Sequence, residues 1–352
     1  MKRIDEIDKN FKTGEVEMQG GNIYEATDDR LELFGIYFEN GYRRMPEEIA
    51  KGINENVEAL HTHTSGGRLR FRTDSSSIKF RCELPTVFTA PHIPLTGTTG
   101  FDIYEDNQFK QSCVPPLDVK DGYSTLIQFP DSTMRDVMFH FPLYNEVSRV
   151  CIELEEGARL QKASPYKNKK PVVFYGSSIT QGACASRPGN AYPAILSRRL
   201  DCDFINLGFS GGCLGEENMA EYIAALDMEI LVMDYDHNAP NAEHLEKTHE
   251  KFFQIIREKN PTLPVVFITR PDFIYDLTSG KRQAVIRETY ENAKEKGDQN
   301  VYFIDGKELW GNEETGSCTV DRIHPADLGH WRMAGRIELV LREILGGYSK
   351  EN

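Results

Sequence analysis

The chain has 352 residues, of which 39% are hydrophobic and 10% aromatic, enough apolar side chains for about two folded domains. Its formal net charge is −14, which argues against a protein dedicated to nucleic acid or to anionic membranes, because both reward clustered lysine and arginine. A neutral or sugar-like small molecule is compatible with this charge.

The N-terminus has no apolar stretch of signal-peptide type, and no apolar run approaches the roughly 18 residues of a membrane helix. We therefore expect a cytoplasmic protein, although a removed signal peptide stays open. The seven cysteines are scattered and form no Cys-x-x-Cys pair, which favours free thiols over a disulfide framework or a zinc site.

The first half of the chain, to about residue 155, shows apolar residues at every second position. Ile78, Phe80 and Cys82 alternate with charged residues, and the pattern recurs over 137–143 and 150–154. Such alternation places one set of side chains on the core face of an antiparallel sheet. Many short strands without long helical patterns predict an all-β sandwich or jelly-roll domain over residues 1-160.

The pattern changes after a polar, basic linker at 161-170, with Pro165 and Pro171 near its ends. Five unbroken apolar segments predict buried parallel strands; they are 172–175, 204–207, 230–233, 265–268 and 301–304. Helical segments are predicted between and after them, at 191–200, 219–226, 244–259, 281–296 and 325–345. Residues 171-352 are therefore predicted to form an α/β domain, a three-layer doubly wound parallel sheet, whose ligands bind beyond the carboxyl ends of the strands.

Two glycine- and serine-rich segments follow the first two strands of this predicted sheet. Residues 175–182 read YGSSITQG and place Ser178 near the start of a helix, where N–H groups face a developing negative charge. Residues 206–212 read NLGFSGG, and the N–H of Gly211 is a candidate oxyanion donor. Taken singly, each segment also fits an ordinary strand-to-helix turn.

A polar segment, 234–240, follows the third strand and reads DYDHNAP. The side-chain amide of Asn238 is a neutral donor that suits an oxyanion, although an Asx-type turn fits the segment equally. Asp234, Asp236 and His237 offer metal ligands, but alternating residues at a strand end point in different directions. We therefore predict no metal site here.

The fourth segment, 321–330, reads DRIHPADLGH and precedes the last predicted helix. Asp321 and His324 stand three residues apart, so the carboxylate can fix the imidazole tautomer while the imidazole accepts a proton from a serine. The alternative is a surface loop in which the aspartate merely caps the helix.

These four segments, in this order, resemble the SGNH (GDSL-type) hydrolase superfamily over about residues 171–347. The resemblance implies Ser178 as nucleophile, Gly211 and Asn238 as oxyanion donors, His324 as base and Asp321 as the acid that orients it. It also implies that no cofactor or metal is needed. The partner would be a small-molecule or oligosaccharide acyl ester, and neither nucleic acid nor a membrane is expected; the oligomeric state stays open.

Two positions depart from the superfamily pattern. The aspartate that usually precedes the nucleophile is Ser177, and the third block, usually Gly-x-Asn-Asp, reads DHNA over 236–239. Both departures bear on substrate fit more than on chemistry. In the first half, residues 99–104 read TGFDIY and resemble the Gly-x-Asp-Leu-Tyr element of β-domains that precede certain SGNH domains.

The leading functional hypothesis is a serine esterase that removes short acyl groups, with acetyl on a carbohydrate preferred by analogy with two-domain carbohydrate esterases. Arg270 and Asp272, after the fourth strand, either touch substrate or form a local ion pair. Three alternatives stay open: a non-catalytic glycan-binding protein on the same scaffold, an acyltransferase and a lipid esterase.

Overall fold

The computed structural model describes residues 7–8, 20–272, 275–276 and 278–346. The chain divides into two units, one formed by Met1–Arg43 with Thr62–Ser164 and the other by Arg44–His61 with Pro165–Asn352. The segment Arg44–His61 thus lies in the second unit, although the sequence places it far before the linker. The reason is apolar burial, since Met45, Ala50 and Val57 are fully buried in the core of that unit.

The first unit consists of antiparallel sheets, which confirms the predicted β-domain. One sheet has the order β1-β11-β6-β9, and another has the order β12-β5-β10-β7-β8 with β2 paired to β5. The pair β3-β4 stands apart. The strands are β1 Gly21–Glu25, β2 Glu32–Phe34, β3 Tyr37–Phe38, β4 Tyr42–Arg43, β5 Arg68–Thr73, β6 Ser77–Glu83, β7 Phe101–Glu105, β8 Gln108–Cys113, β9 Gly122–Gln128, β10 Arg135–His140, β11 Arg149–Glu155 and β12 Leu160–Gln161.

The alternating residues of the first half meet in one apolar core. The ring of Phe80 on β6 lies 4.6 Å from that of Phe101 and 5.0 Å from that of Phe139, centroid to centroid. The TGFDIY element opens β7, and its aspartate, Asp102, is buried and accepts a hydrogen bond from the Ser112 hydroxyl at 2.9 Å. In this unit the motif therefore serves packing and strand pairing.

The second unit contains a five-stranded parallel sheet of order β14-β13-β15-β16-β17. This is a doubly wound arrangement, and it confirms the predicted α/β fold. The strands are β13 Asn168–Gly176, β14 Cys202–Gly208, β15 Ile230–Asp234, β16 Val265–Ile268 and β17 Val301–Ile304. Neighbouring residues of β13 face opposite cores: Val173 and Tyr175 pack on one side of the sheet, Val172 and Phe174 on the other. Burial on both faces explains the unbroken apolar runs.

Helices cover this sheet, and the five that the sequence predicts occur within two residues of the predicted bounds. Within the described residues the α-helices are, in chain order, α1 Glu47–Ile53, α2 Glu55–Leu60, α3 Leu95–Thr98, α4 Ser178–Gln181, α5 Tyr192–Leu200, α6 Glu217–Ala224, α7 Ala242–Lys259, α8 Ser279–Glu295 and α9 Asp327–Ile344. Among the residues described, no helix is long and apolar enough to cross a bilayer. All seven cysteines are buried free thiols, as predicted.

The register of the parallel sheet brings three of the four sequence motifs to one edge. Gly176 at the end of β13 pairs with Gly208 of β14 on one side and with Asp234 of β15 on the other. The motifs that follow these strands therefore start side by side, at the edge where doubly wound sheets bind ligands.

Candidate active site

The nucleophile segment makes a tight turn from β13 into the short helix α4. A Cβ on Gly176 would lie 2.0 Å from the Thr180 hydroxyl oxygen, so the turn requires glycine there. Ser177 is buried and its hydroxyl oxygen accepts the N–H of Ile179 at 3.2 Å, which makes it the helix cap. Ser177, not Ser178, is therefore the residue that caps this helix.

Ser178, His324 and Asp321 form a hydrogen-bonded chain. The Ser178 hydroxyl lies 3.0 Å from Nε2 of His324, and Nδ1 of His324 lies 2.7 Å from Oδ2 of Asp321. Partial burial alone would raise the pKa of Asp321, but hydrogen bonds from the imidazole and from backbone N–H groups outweigh it and lower that pKa. The carboxylate therefore stays ionised beside the imidazole, which is what an orienting acid must do.

The second and third motifs meet through Gly211 and Asn238. The Gly211 N–H donates to Oδ1 of Asn238 at 3.2 Å, and Nδ2 of Asn238 donates to the Phe209 carbonyl at 2.8 Å. The structure thus places the two predicted oxyanion donors in contact, with the Gly211 N–H engaged by the asparagine. The role predicted for Asn238 would use the second hydrogen of its side-chain amide.

Residues 208–212, called the oxyanion loop below, are also tied to the nucleophile helix. The side-chain oxygen of Gln181 accepts both the backbone N–H and the hydroxyl of Ser210, each at 3.0 Å. A Cβ on Gly208 would lie 2.4 Å from the Gln181 nitrogen, so the loop packs against the helix without room for a side chain. The loop and the nucleophile are therefore one packed assembly.

Buried charges hold the turn that carries Asn238. Asp236 accepts the backbone N–H of Arg270 at 3.0 Å and Nε of Arg282 at 2.8 Å, and both Asp236 and Arg282 are buried. The Arg270 guanidinium binds both carboxylate oxygens of Asp272, at 2.7 and 2.6 Å. Despite burial, hydrogen bonds from His237 and Arg270 lower the pKa of Asp272 to about 2. Of the two roles open for Arg270 and Asp272, the structure shows the local ion pair.

The metal ligands considered for the third motif have protein partners instead. Asp234 is buried, and its Oδ2 accepts the hydroxyls of Thr180 and Tyr192, both at 2.9 Å. Asp236 is held by the two arginines, so the carboxylates already have hydrogen-bond donors. These side chains brace the turn and the nucleophile helix.

Asp327, which the sequence did not single out, links the segments that carry Ser178 and His324. At the first turn of α9, its carboxylate accepts the Ser186 N–H at 2.8 Å, the Ser186 hydroxyl and the Asn190 amide at 2.9 Å. It thereby joins the chain after the nucleophile to the chain after His324. An acidic residue in a first helical turn is common for dipole reasons alone, so the sequence offers no distinctive signal for this role.

A parallel sheet with these motifs at one edge defines the SGNH hydrolase class. The GDSL-like lipase/acylhydrolase family model matches residues 169–342, and the model for the N-terminus of SGNH-type esterases, GxDLY, matches residues 23–160. The chain belongs to this GDSL-like family, in the form with a GxDLY N-terminal part. Membership identifies the protein as an ester hydrolase.

Solved structures show the same fold over nearly the whole chain. A protein described as a GDSL-like lipase from Bacteroides ovatus is 28% identical with a TM-score of 0.83, covering 92% of this chain and 98% of its own. The salicylyl-acyltransferase SsfX3 of a tetracycline biosynthetic pathway is 23% identical with a TM-score of 0.77, covering 94% and 99%. A family two carbohydrate esterase from Clostridium thermocellum, in complex with cellohexaose, is 14% identical with a TM-score of 0.61, covering 90% and 99%. No curated protein matches the chain.

Proposed function

We propose that the protein hydrolyses short acyl esters through an acyl-enzyme on Ser178. The observation that carries the proposal is the chain of contacts from the Ser178 hydroxyl to Nε2 of His324 at 3.0 Å, and from Nδ1 of His324 to Asp321 at 2.7 Å. A serine hydroxyl within hydrogen-bond reach of an oriented imidazole is an activated nucleophile.

In the first half-reaction, His324 takes the hydroxyl proton while Ser178 attacks the ester carbonyl. The tetrahedral intermediate collapses, the carbon–oxygen bond to the alcohol breaks, and His324 gives its proton to the departing alkoxide. In the second half-reaction, His324 deprotonates a water that attacks the acyl-enzyme. The proton then returns to Ser178 as the acid leaves.

The negative oxygen formed in each half-reaction would be stabilised by N–H donors at the strand ends. The Asn238 amide, Gly211 and the backbone N–H of Ser178, at the first position of α4, supply them in the proposed mechanism. Gly211 would share its N–H between Asn238 and the oxyanion.

We further propose an acetyl group on a carbohydrate as the substrate. Support comes from the likeness in fold to family two carbohydrate esterases, one of which is described with bound cellohexaose. The acidic net charge of −14 is compatible with a neutral glycan.

The test is a screen of acetylated oligosaccharides beside p-nitrophenyl esters of increasing acyl length, with Ser178→Ala as the control. We expect acetate release from at least one oligosaccharide and loss of turnover in the control. A preference for acyl chains above about eight carbons would contradict the acetyl proposal. It would indicate a long apolar pocket in which each methylene of the acyl chain contributes to substrate selection. Wild-type turnover by Ser178→Ala would contradict the nucleophile.

Two further experiments separate the alternatives. Labelling of Ser178 by an organophosphonate requires an activated serine and would exclude a mere glycan-binding protein. Product analysis with an added sugar acceptor distinguishes hydrolysis from acyl transfer, since transfer yields a new ester instead of free acid.

A further inference from the structure

The segment Arg44–His61 binds the oxyanion loop from a distant part of the sequence. The Arg44 guanidinium is 3% exposed and donates to the carbonyl oxygens of Gly208 at 2.6 Å and Asn206 at 3.3 Å. It also stacks over the ring of Phe209, with 4.2 Å from Cζ to the ring centroid. A buried guanidinium thus supports the start of the loop, by charge-assisted hydrogen bonds and by a cation–π contact.

Two asparagines of the same segment bind the end of the loop. Nδ2 of Asn54 donates to the Gly212 carbonyl at 2.8 Å, and Nδ2 of Asn56 donates to the Gly211 carbonyl at 3.1 Å. Asn54 is itself fixed, because its Oδ1 caps α2 by accepting the N–H groups of Asn56 and Val57. With Arg44, three side chains of this segment bind the carbonyls of four residues in or next to the loop.

These contacts matter because Gly211 is conformationally permissive. Its φ is +68°, in the left-handed region, and glycine populates both hands about equally when nothing else selects one. Its N–H is held by Asn238 and its carbonyl by Asn56, so hydrogen bonds on both sides select the observed conformation. The contact from Asn56 therefore helps to set the direction of the Gly211 N–H.

We propose that Asn56 and Arg44 are positioning residues of the esterase site, which hold the oxyanion loop so that Gly211 and Asn238 face the tetrahedral intermediate. The proposal rests on the acyl-enzyme mechanism above. Both residues act through the loop backbone, so their effect falls on the intermediate more than on substrate binding.

Asn56 is the sharper test because it is exposed on α2, where its replacement spares the core. In the full chain, Asn56→Ala is expected to lower kcat for p-nitrophenyl acetate by roughly tenfold to a hundredfold with KM nearly unchanged, somewhat less than removal of an oxyanion donor. The inhibition constant of phenylboronic acid, which forms a tetrahedral adduct with serine, should rise by the same factor. Asn56→Gln, which keeps an N–H donor, should recover most of the lost kcat.

Glu58→Gln, another exposed position on α2, is the matched control and should behave as wild type. A wild-type kcat and boronate affinity in Asn56→Ala would overturn the positioning role. The positioning role would also be overturned if activity fell only in proportion to the number of serine sites that a phosphonate can titrate, because the loss would then come from unfolded enzyme. A wild-type protein no faster than Ser178→Ala would overturn the proposed function and this role with it.

Discussion

Asp321 contacts His324 through both of its carboxylate oxygens. Oδ2 accepts the imidazole Nδ1–H at 2.7 Å, and Oδ1 accepts the backbone N–H of the same histidine at 2.8 Å. Oδ1 also accepts the N–H of Ile323 at 3.0 Å. Arg322, inside this turn, has a φ of +76°, a conformation that residues with side chains rarely adopt. One carboxylate therefore binds both the imidazole of His324 and the backbone of the strained turn that carries it.

Asp321→Asn should separate these two roles. The amide oxygen can still accept the backbone N–H groups, whereas an amide N–H facing Nδ1 favours the tautomer that leaves Nε2 unable to accept the serine proton. We expect kcat for p-nitrophenyl acetate to fall by about 10²–10⁴-fold, with little change in the thermal midpoint. Asp321→Ala, which loses both roles, should also lower that midpoint. An Asp321→Asn enzyme of wild-type rate would show that the aspartate only caps the loop.

Asn238→Ala tests the oxyanion assignment. The change removes the amide donor and also releases the Gly211 N–H and the Phe209 carbonyl that the side chain binds. Loss of one oxyanion donor typically costs about 2.7–4 kcal/mol, so kcat should fall by about 10²–10³-fold with KM nearly constant. Asn238→Asp keeps an acceptor for Gly211 but places negative charge beside the oxyanion, and its kcat should fall at least as far. An aspartate variant of normal rate would contradict the donor role.

Local patterns were sufficient to predict the parallel sheet and its site motifs. Strands such as 172–175 are apolar throughout because both faces are buried, and the five predicted helices lie within two residues of their observed bounds. The motifs were recognisable because parallel strands bring their carboxyl ends to one edge. The roles expected for Ser178, His324 and Asp321 came from the resemblance of the four segments to SGNH hydrolases, and the structure places the three side chains in contact.

Contacts between residues far apart in sequence could not be predicted in the same way. The bonds from Asn54 and Asn56 to the oxyanion loop join residues about 155 positions apart, and an exposed asparagine near a helix start reads as a cap. Whether Arg270 would touch substrate or pair with Asp272 was equally undetermined, because side-chain direction depends on the packed loop. Periodicity indicates which face of a helix or strand is buried, but it does not indicate which residues contact that face.

Asp234 is expected to make the stability of the protein depend on pH. Burial raises the pKa of its carboxyl from the ordinary 3.8 to about 7, and this outweighs the two hydroxyl donors that favour the anion. The folded state therefore binds a proton that the unfolded state has lost between about pH 4 and 7, so the free energy of unfolding decreases as pH rises through that window. This shift in the pKa of Asp234 corresponds to roughly 4 kcal/mol in the free energy of unfolding.

Asp234→Asn should abolish this contribution, because an amide can accept both hydroxyl bonds without ionising. Urea unfolding of wild type and variant at pH 5 and pH 8 measures the difference, with the variant losing less stability between the two. Equal pH dependence in the two proteins would mean that Asp234 does not titrate in this range.

Arg282→Met should destabilise the turn that presents Asn238. Arg282 and Asp236 are both buried, and Nε of the arginine lies 2.8 Å from the carboxylate, while its Nη2 binds the Ala239 carbonyl at 2.8 Å. Removing one partner of a buried ion pair leaves an uncompensated charge and typically costs about 3–5 kcal/mol. The double variant Arg282→Met with Asp236→Asn should lose less than Arg282→Met alone, because the stranded charge is gone. Urea unfolding of the wild type, both single variants and the double variant completes this double-mutant cycle. Additive losses of unfolding free energy would show that the two side chains do not stabilise each other.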